Sequence, residues 1–427
     1  MPGAPTMRVG RSTASAGTND GPIPPAAYPR GRSRYLYIPA PLWAEIDLDA
    51  ITHNVQRVLK LLAAGRERPP ALMAVLKGDA YGHGAVAVAG AVLAAGAQWL
   101  GVSTLAEAME LREAGIEAPL LVFNPPLPDE LASFPTYRLT ATVADLAAAR
   151  QLAPACHLQV DTGLGRFGAD IATAAAILAE QPVQGIYTHL GVFDLPELRF
   201  RFTRFRELLD RLQASGHRPA LAHAAASSSL LLEPATRLDL VRAGNLLYGV
   251  CPEGCVPSGL DLRDVWRLRA RVVAIRQVPA GARVGYGAEH RFRRPARVAV
   301  VPAGFADGVG LEPAGRMDRP RVLLRRLVRL ILQRAGYALP PANGGVEIRG
   351  RPVNRVGRQG MAHTLVDATA FSDLTPGEPV TLYARRATVN ARVPRVYLRD
   401  GLPVAARTGV PRPMTLIDDV PQRGETP

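Results

Sequence analysis

The stretch LMAVLKGDAYGHGAVAVAGAVLAAGAQWLGVS, residues 72–103, decides the architecture. An apolar run of strand length (72–77) passes through a glycine-punctuated turn into an Ala/Val/Leu-rich segment of helical period (84–95). A second apolar run (99–103) follows. Two apolar strands separated by a helix read as a parallel βαβ unit, since parallel neighbours need a crossover of about a dozen residues or more. The same alternation continues along the chain. Further apolar runs fall at 120–124, 139–143, 157–161, 186–189, 222–227 and 238–242, with helical segments at 105–114, 144–152, 171–180 and 198–215. Eight parallel strands in about 200 residues fit a closed barrel better than an open doubly wound sheet. The expected class is therefore α/β: a (β/α)8 TIM-type barrel at 41–264, followed by a mainly β C-terminal domain at 265–410.

The second domain is read from a change of texture. Short β-rich runs at 265–277, 283–286, 296–302, 345–353, 364–368 and 379–384 are separated by Pro and Gly. An insertion at 316–343 interrupts them. Within it, the helical segment 321–337 sets Arg321, Arg325, Arg326 and Arg329 opposite Leu323, Leu324, Leu327, Leu330 and Ile331. The expectation is that this Leu face packs on the parent domain, with contact between 321–337 and an anionic membrane surface as the alternative. Residues 1–40, rich in Pro, Gly, Ser and Arg and lacking the apolar core of a signal peptide, read as a disordered tail. Residues 411–427 read as a flexible one.

With 48% hydrophobic and 21% charged residues, the 427-residue chain can bury a large core and is not of the disordered class. A net charge of +14 raises the question of a nucleic-acid partner, but no helix-turn-helix, zinc-finger or RNA-binding signature accompanies it. Of the 51 basic residues 49 are Arg, so the charge reflects a preference for Arg over Lys. Only Lys60 and Lys77 could form an imine. Three cysteines, Cys156, Cys251 and Cys255, are too few for a disulfide scaffold and point to a reducing, cytoplasmic setting. No metal site is expected, because the single C-x3-C lacks a second pair of ligands. No apolar run approaches the ~18 residues of a membrane span.

A barrel places its chemistry at the C-terminal ends of its strands. Lys77 closes the first run, where burial disfavours its ammonium form and suits it to imine formation with an aldehyde cofactor. A lysine snorkelling to the rim is the alternative. Around the same mouth, the glycine-rich loop 161–168 presents Arg166, and His189 ends its own run. His223 and the serines Ser227, Ser228 and Ser229 follow the next run; Arg242, Gly244 and Asn245 follow the last. A serine hydroxyl and a glycine N–H, at Ser227 and Gly244, suit a phosphate.

Assembled in this order, the residues resemble the bacterial alanine racemase family, pyridoxal-phosphate enzymes of fold type III, from about residue 42 to 400. AVLKGDAYGHG (74–84) is similar to the family's cofactor-lysine motif A-V-V-K-A-N-A-Y-G-H-G. DTGLGRFG (161–168) is similar to D-T-G-M-G-R-L-G, VRAG (241–244) to V-R-P-G, and GFADG (304–308) to G-Y-A-D-G. VGYG (284–287) and RVPR (392–395) match family blocks directly. The resemblance implies pyridoxal 5′-phosphate as cofactor and two catalytic residues. Lys77 would carry the cofactor and act as base on the D-face, and Tyr286 from the partner subunit would act on the L-face. Tyr81, Ser227, Gly244 and Asn245 would hold the cofactor at its phosphate side. Arg242 would face the pyridine nitrogen, with His189 hydrogen-bonded to it. Arg166 and Met361 would serve the substrate, Arg166 also orienting Tyr286. The implied activity is interconversion of L- and D-alanine for peptidoglycan, in a homodimer with shared sites.

Several positions depart from the pattern. Gln159 stands where many members have a carbamylated lysine, Gly78-Asp79 replaces Ala-Asn, and Phe305 replaces a tyrosine. Ala226 replaces an asparagine, Ala391 a phosphate-binding tyrosine, and Ala362 the second residue of a Met-Asp pair. A racemase of another amino acid such as serine, or of several, remains an alternative. So does a non-catalytic pyridoxal-phosphate carrier, against which the β domain and Tyr286 argue.

Overall fold

The computed structural model describes residues 40–217, 219–252, 260–311, 323–324, 327–328, 331–332 and 345–407. All eight apolar runs form parallel strands: Ala71–Val75, Trp99–Val102, Leu120–Val122, Thr140–Val143, Cys156–Val160, Gly185–Thr188, Leu221–His223 and Leu240–Ala243. They are buried almost throughout, as strands must be when helices cover one face and a barrel interior the other. Seven successive pairings link them, the last strand pairing back onto the first. The remaining seam, between Leu221–His223 and Leu240–Ala243, is closed by the Asp239 N–H on the Ala222 carbonyl (3.0 Å) and the Arg242 N–H on that of Ala225 (3.1 Å). Met73, Trp99, Leu121, Tyr187 and Leu240 form an apolar cluster of their own, apart from the main core.

The outer helices begin where the sequence supplies an oxygen to cap them. Thr104 accepts from the Glu107 N–H in a capping box, while Asp145, Asp170 and Asp194 cap Leu146–Leu152, Ile171–Glu180 and Leu195–Ala214. Each such cap contributes about 1 kcal/mol.

The β domain corrects two expectations. The strand Leu42–Asp47, placed in the barrel by a boundary at residue 41, lies inside the seven-stranded sheet of the β domain. There it pairs antiparallel with Trp266–Arg271 and parallel with Arg395–Arg399. Its local pattern states a buried strand but not which sheet holds it. The run at 265–277 divides into Trp266–Arg271 and Ala274–Val278, which belong to different sheets. The sequence reading also missed the hairpin Arg395–Arg399 and Leu402–Arg407, whose Asp400-Gly401 turn has φ of 48° and 67°. That dipeptide is a hairpin signal.

The insertion departs from expectation as well. Arg321, Arg325, Arg326, Arg329 and Leu330 lie outside the described residues. Of those described, 323–324, 327–328 and 331–332 are helical, and Leu323, Leu324, Leu327, Val328 and Ile331 are exposed to solvent. Those described apolar side chains are not buried against the parent domain.

Candidate active site

Lys77 does not close its strand. The strand ends at Val75, and after Lys77 the chain runs through a left-handed turn, with φ of 62°, 55°, 54° and 56° at Gly78, Asp79, Ala80 and Tyr81. Three of these are not glycine, each costing roughly 1–2 kcal/mol. Specific contacts hold the turn. Ala80 is wholly buried, Glu107 accepts the Gly78 N–H (2.5 Å), and the Asp79 carboxylate accepts the Ala85 N–H (2.8 Å). Arg407 forks onto Asp79, which explains an acid where the family keeps an asparagine. From RVPR, the buried Arg395 donates to the carbonyls of Gly82, Asn390, Val393 and Val389, tying the loop to the β domain. A planar five-donor fork can do this; a lysine cannot.

The turn sends Tyr81 across to Gly244. A Cβ on Gly244 would lie 2.3 Å from the Tyr81 hydroxyl oxygen, so only glycine fits. Ser227 Oγ accepts the Gly244 N–H at 3.1 Å. A phenol, a hydroxyl and glycine backbone therefore meet at one end of the mouth, the neutral donor set that a phosphate takes.

At the other side stands Arg242, 4% exposed. It donates to His223 Nδ1 (2.5 Å) and to the carbonyls of His223 (3.2 Å), Thr188 (2.7 Å) and Ala224 (3.2 Å). Burial brings its pKa down to about 10, which still leaves it charged at neutral pH. Because a guanidinium only donates, His223 Nδ1 must accept, which places the proton of the neutral ring on Nε2 and aims it at His157 Nδ1, 2.9 Å away. Tyr187 stacks on His223 at 4.6 Å, its hydroxyl 2.9 Å from both Thr142 Oγ1 and Gln159 Oε1. Gln159 Nε2 in turn donates to the Phe167 carbonyl (3.3 Å), bracing the loop that carries Arg166. Asp161 braces it from the other end by accepting the N–H groups of Gly163, Leu164 and Gly165.

The contact expected between His189 and Arg242 is made by His223 instead. His189 lines the mouth unbonded to Arg242, its pKa lowered to about 3 by burial and then by the charges of Arg242, Arg166 and Lys77. It is therefore neutral. Lys77 is also lowered, by burial first and then by Arg166 and Arg242, against an opposing effect of Glu107.

Lys77, Tyr81, Arg166, His189, Ser227, Arg242, Gly244 and Asn245 line a single cavity of about 380 Å³, together with Gln159. The structure brings eight of the ten expected residues together. Tyr286 and Met361 are not among them. They sit on the β domain, 70% and 62% exposed, with Phe305 at 46%. The three belong to one patch: Gly360 lies against the Tyr286 ring, and the Phe305 and Ala306 N–H groups reach the Gly360 and Met361 carbonyls. His223 and Gln159 are the site residues that motif reading undervalued.

A barrel mouth with one amine of lowered pKa, a neutral phosphate cradle and a buried guanidinium fits pyridoxal 5′-phosphate. With a β domain attached, it defines the class as a fold type III pyridoxal-phosphate enzyme. Two family profiles match: "Alanine racemase, N-terminal domain" over residues 46–252 and "Alanine racemase, C-terminal domain" over 265–396. An alanine racemase of Desulforamulus reducens is 33% identical over 84% of this chain and 99% of its own length. Among solved structures, alanine racemase from D-cycloserine-producing Streptomyces lavendulae superimposes with TM-score 0.68 at 31% identity, over 85% of this chain and 98% of that one. Alanine racemase from Bacillus anthracis with bound L-Ala-P gives TM-score 0.71 at 25% identity, over 87% of this chain and 98% of that one. The chain belongs to the alanine racemase family, whose members are pyridoxal 5′-phosphate-dependent amino-acid racemases.

Proposed function

We propose that this chain interconverts L- and D-alanine by moving the α-proton between two groups, Lys77 Nζ on one face of the substrate and Tyr286 Oη from a second copy on the other. Pyridoxal 5′-phosphate, when bound, supplies the aldehyde that captures an amino group and the ring that draws electron density from the adjacent α-carbon. The remaining work falls to the protein. Lys77 Nζ, its ammonium disfavoured by burial, acts as the base on the D-face. Tyr81, Ser227, Gly244 and Asn245 hold the phosphate end. Arg242, locked as a donor by its bonds to His223 and three carbonyls, can only donate toward a pyridine nitrogen. A ring nitrogen left without its own proton is a weaker electron sink, which favours returning the α-proton over transamination. A phenol needs a nearby cation to act as base at neutral pH. Since His189 is neutral, Arg166 provides that charge and also grips the substrate carboxylate.

The observation carrying this reading is the separation itself. The cavity holds Lys77, while Tyr286, Met361 and Phe305 are exposed on the β domain and absent from the cavity lining. A two-fold assembly in which each patch covers the other copy's mouth would complete two sites. The test is complementation: Lys77→Ala and Tyr286→Phe, each nearly inactive, are mixed, dissociated and reassociated. Random pairing should restore about a quarter of wild-type turnover, one intact site in each mixed dimer. No recovery in demonstrably mixed dimers would overturn the shared site. Turnover of an L-amino-acid panel tests the substrate, and preference for serine over alanine would favour the broader racemase reading. D-alanine made here would serve peptidoglycan synthesis. A cytoplasmic setting is in keeping with the free thiols of Cys156 and Cys251.

A further inference from the structure

We infer that Glu107 is a positioning residue for Lys77: its carboxylate ties the peptide that follows the lysine to the neighbouring strand and helix, and brings a negative charge to the amine's surroundings. The inference rests on the proposed role of Lys77 and adds what holds and tunes that group. Lys77 is bracketed by two bonds to one unit of the barrel. The Leu76 N–H reaches the Gly101 carbonyl at 2.7 Å, within the strand Trp99–Val102. The Gly78 N–H reaches Glu107 Oε1 at 2.5 Å, on the first turn of the helix Leu105–Glu113. The lysine therefore enters its left-handed turn with the peptide on either side fixed, and such backbone persists only where its surroundings over-determine it.

Glu107 also closes the capping box of its own helix. Its Oε2 accepts the N–H groups of Ser103 (2.8 Å) and Thr104 (3.1 Å), while Thr104 Oγ1 accepts the Glu107 N–H (3.3 Å). Glutamine would serve that box equally well. It could not also serve Gly78, because its amide nitrogen would set one donor against another. The second oxygen is thus required by the lysine turn and not by the helix. The groups around the amine explain the use of the charge. Arg166 faces Lys77 from the loop 161–168 and Arg242 from the last barrel strand, and both disfavour its ammonium form, as burial does; Glu107 opposes them. His189 is neutral, Asp79 in the lysine's own turn is engaged by Arg407, and the Tyr81 phenol is pushed up to about 12 by burial. An amine that takes the α-proton and later returns it must hold either form without a large penalty. Two guanidinium groups alone would make it reluctant to take the proton, and the Glu107 carboxylate restores the balance.

The scarcity of lysine makes the test direct. Reductive methylation of the cofactor-free, full-length chain with carbon-13 formaldehyde labels Lys77, Lys60 and the N-terminal amine, and Lys60→Arg assigns the signals by NMR. In the wild type the Lys77 signal should titrate below that of Lys60. Glu107→Gln should move the Lys77 midpoint to lower pH by about one unit, a tenfold loss of proton affinity, and leave Lys60 in place. In the holoenzyme the same variant should lower kcat by about tenfold or more, with a smaller change in KM. Glu107→Asp, which keeps the charge on a shorter arm, should recover most of the midpoint. Thr104→Ala weakens the helix cap without touching the Gly78 bond, and should leave midpoint and turnover at wild-type values. A Lys77 midpoint unmoved in Glu107→Gln would overturn the inference. So would a Thr104→Ala variant as impaired as Glu107→Gln, which would reduce Glu107 to a helix cap. Full turnover in Lys77→Ala would instead overturn the proposed role of Lys77 itself, whatever Glu107 does.

Discussion

The barrel mouth and the exposed face of the β domain hold the residues of the proposed reaction under opposite physical conditions. At the mouth, Arg242 and the loop that follows Lys77 are each held by several contacts. Lys77 leads into a left-handed turn pinned by Glu107, Arg407 and Arg395, and Arg242 donates to four fixed acceptors. On the β domain, the side chains of Tyr286, Phe305 and Met361 stand largely in solvent, on loops held by backbone bonds of Phe305 and Met361 and by the Tyr286–Arg358 bridge. Rigidity is built where the cofactor must be oriented before substrate arrives. Exposure is kept where, in the proposed shared site, a second surface closes on the first.

Removing the amine should have the largest effect. Lys77→Ala should lose turnover by about four orders of magnitude or more, along with the absorption near ~420 nm of a protonated pyridoxal imine. Retention of that band would move the cofactor link elsewhere. Tyr286→Phe attacks the other half. Turnover should fall by about 10²–10⁴ while the band persists. Because the enantiomers have equal free energy, kcat/KM must fall equally in both directions. Lys77 should still exchange the α-proton of D-alanine with deuterated solvent, and loss of that exchange along with turnover would show that the two halves are not separable.

The buried histidines should also make the fold lose stability in acid. His83, His157 and His189 have pKa values lowered to about 3, and His223 lies well below its ordinary 6.5, all chiefly through burial. Between the two values the unfolded chain binds protons that the folded chain does not. This contribution is complete above pH 6.5 and is lost as pH falls from there toward 3. A melting temperature flat from neutral pH down to pH ~4 would contradict the burial of these rings. The smallest effect is expected at the loop. Asp79→Asn and Arg407→Gln should each cost about 1 kcal/mol in denaturant unfolding, and the double variant little more than either one. Fully additive losses would mean that the pair does not act as a unit.

Much of this was legible from residue order. The alternation of apolar runs and capped helical segments identified all eight barrel strands, because a parallel strand buried on both faces needs a continuous apolar run and its crossover helix a 3.6-residue period. The β domain was less legible. Leu42–Asp47 is far in sequence from the strands it pairs with, and nothing in its own six residues names them. The hairpin at Asp400-Gly401 had a signal that went unread. His223 is the last residue of its strand and His189 directly follows its own, so both sit at the mouth end of the barrel. Only the path of the Arg242 side chain distinguishes them. Gln159 read as a missing lysine, yet its amide joins Tyr187 to Phe167 and braces the Arg166 loop without a charge.

The sequence by itself determined the periodicities, the caps, the scarcity of lysine and the chemical identity of each site residue, all properties of neighbours along the chain. The tertiary structure decided which strands share a sheet, which histidine meets Arg242, why Asp79 is tolerated in a left-handed turn, and that Tyr286 stands outside its own cavity. These are distances between residues remote in sequence. They depend on how packed elements close around one another, which no local pattern encodes.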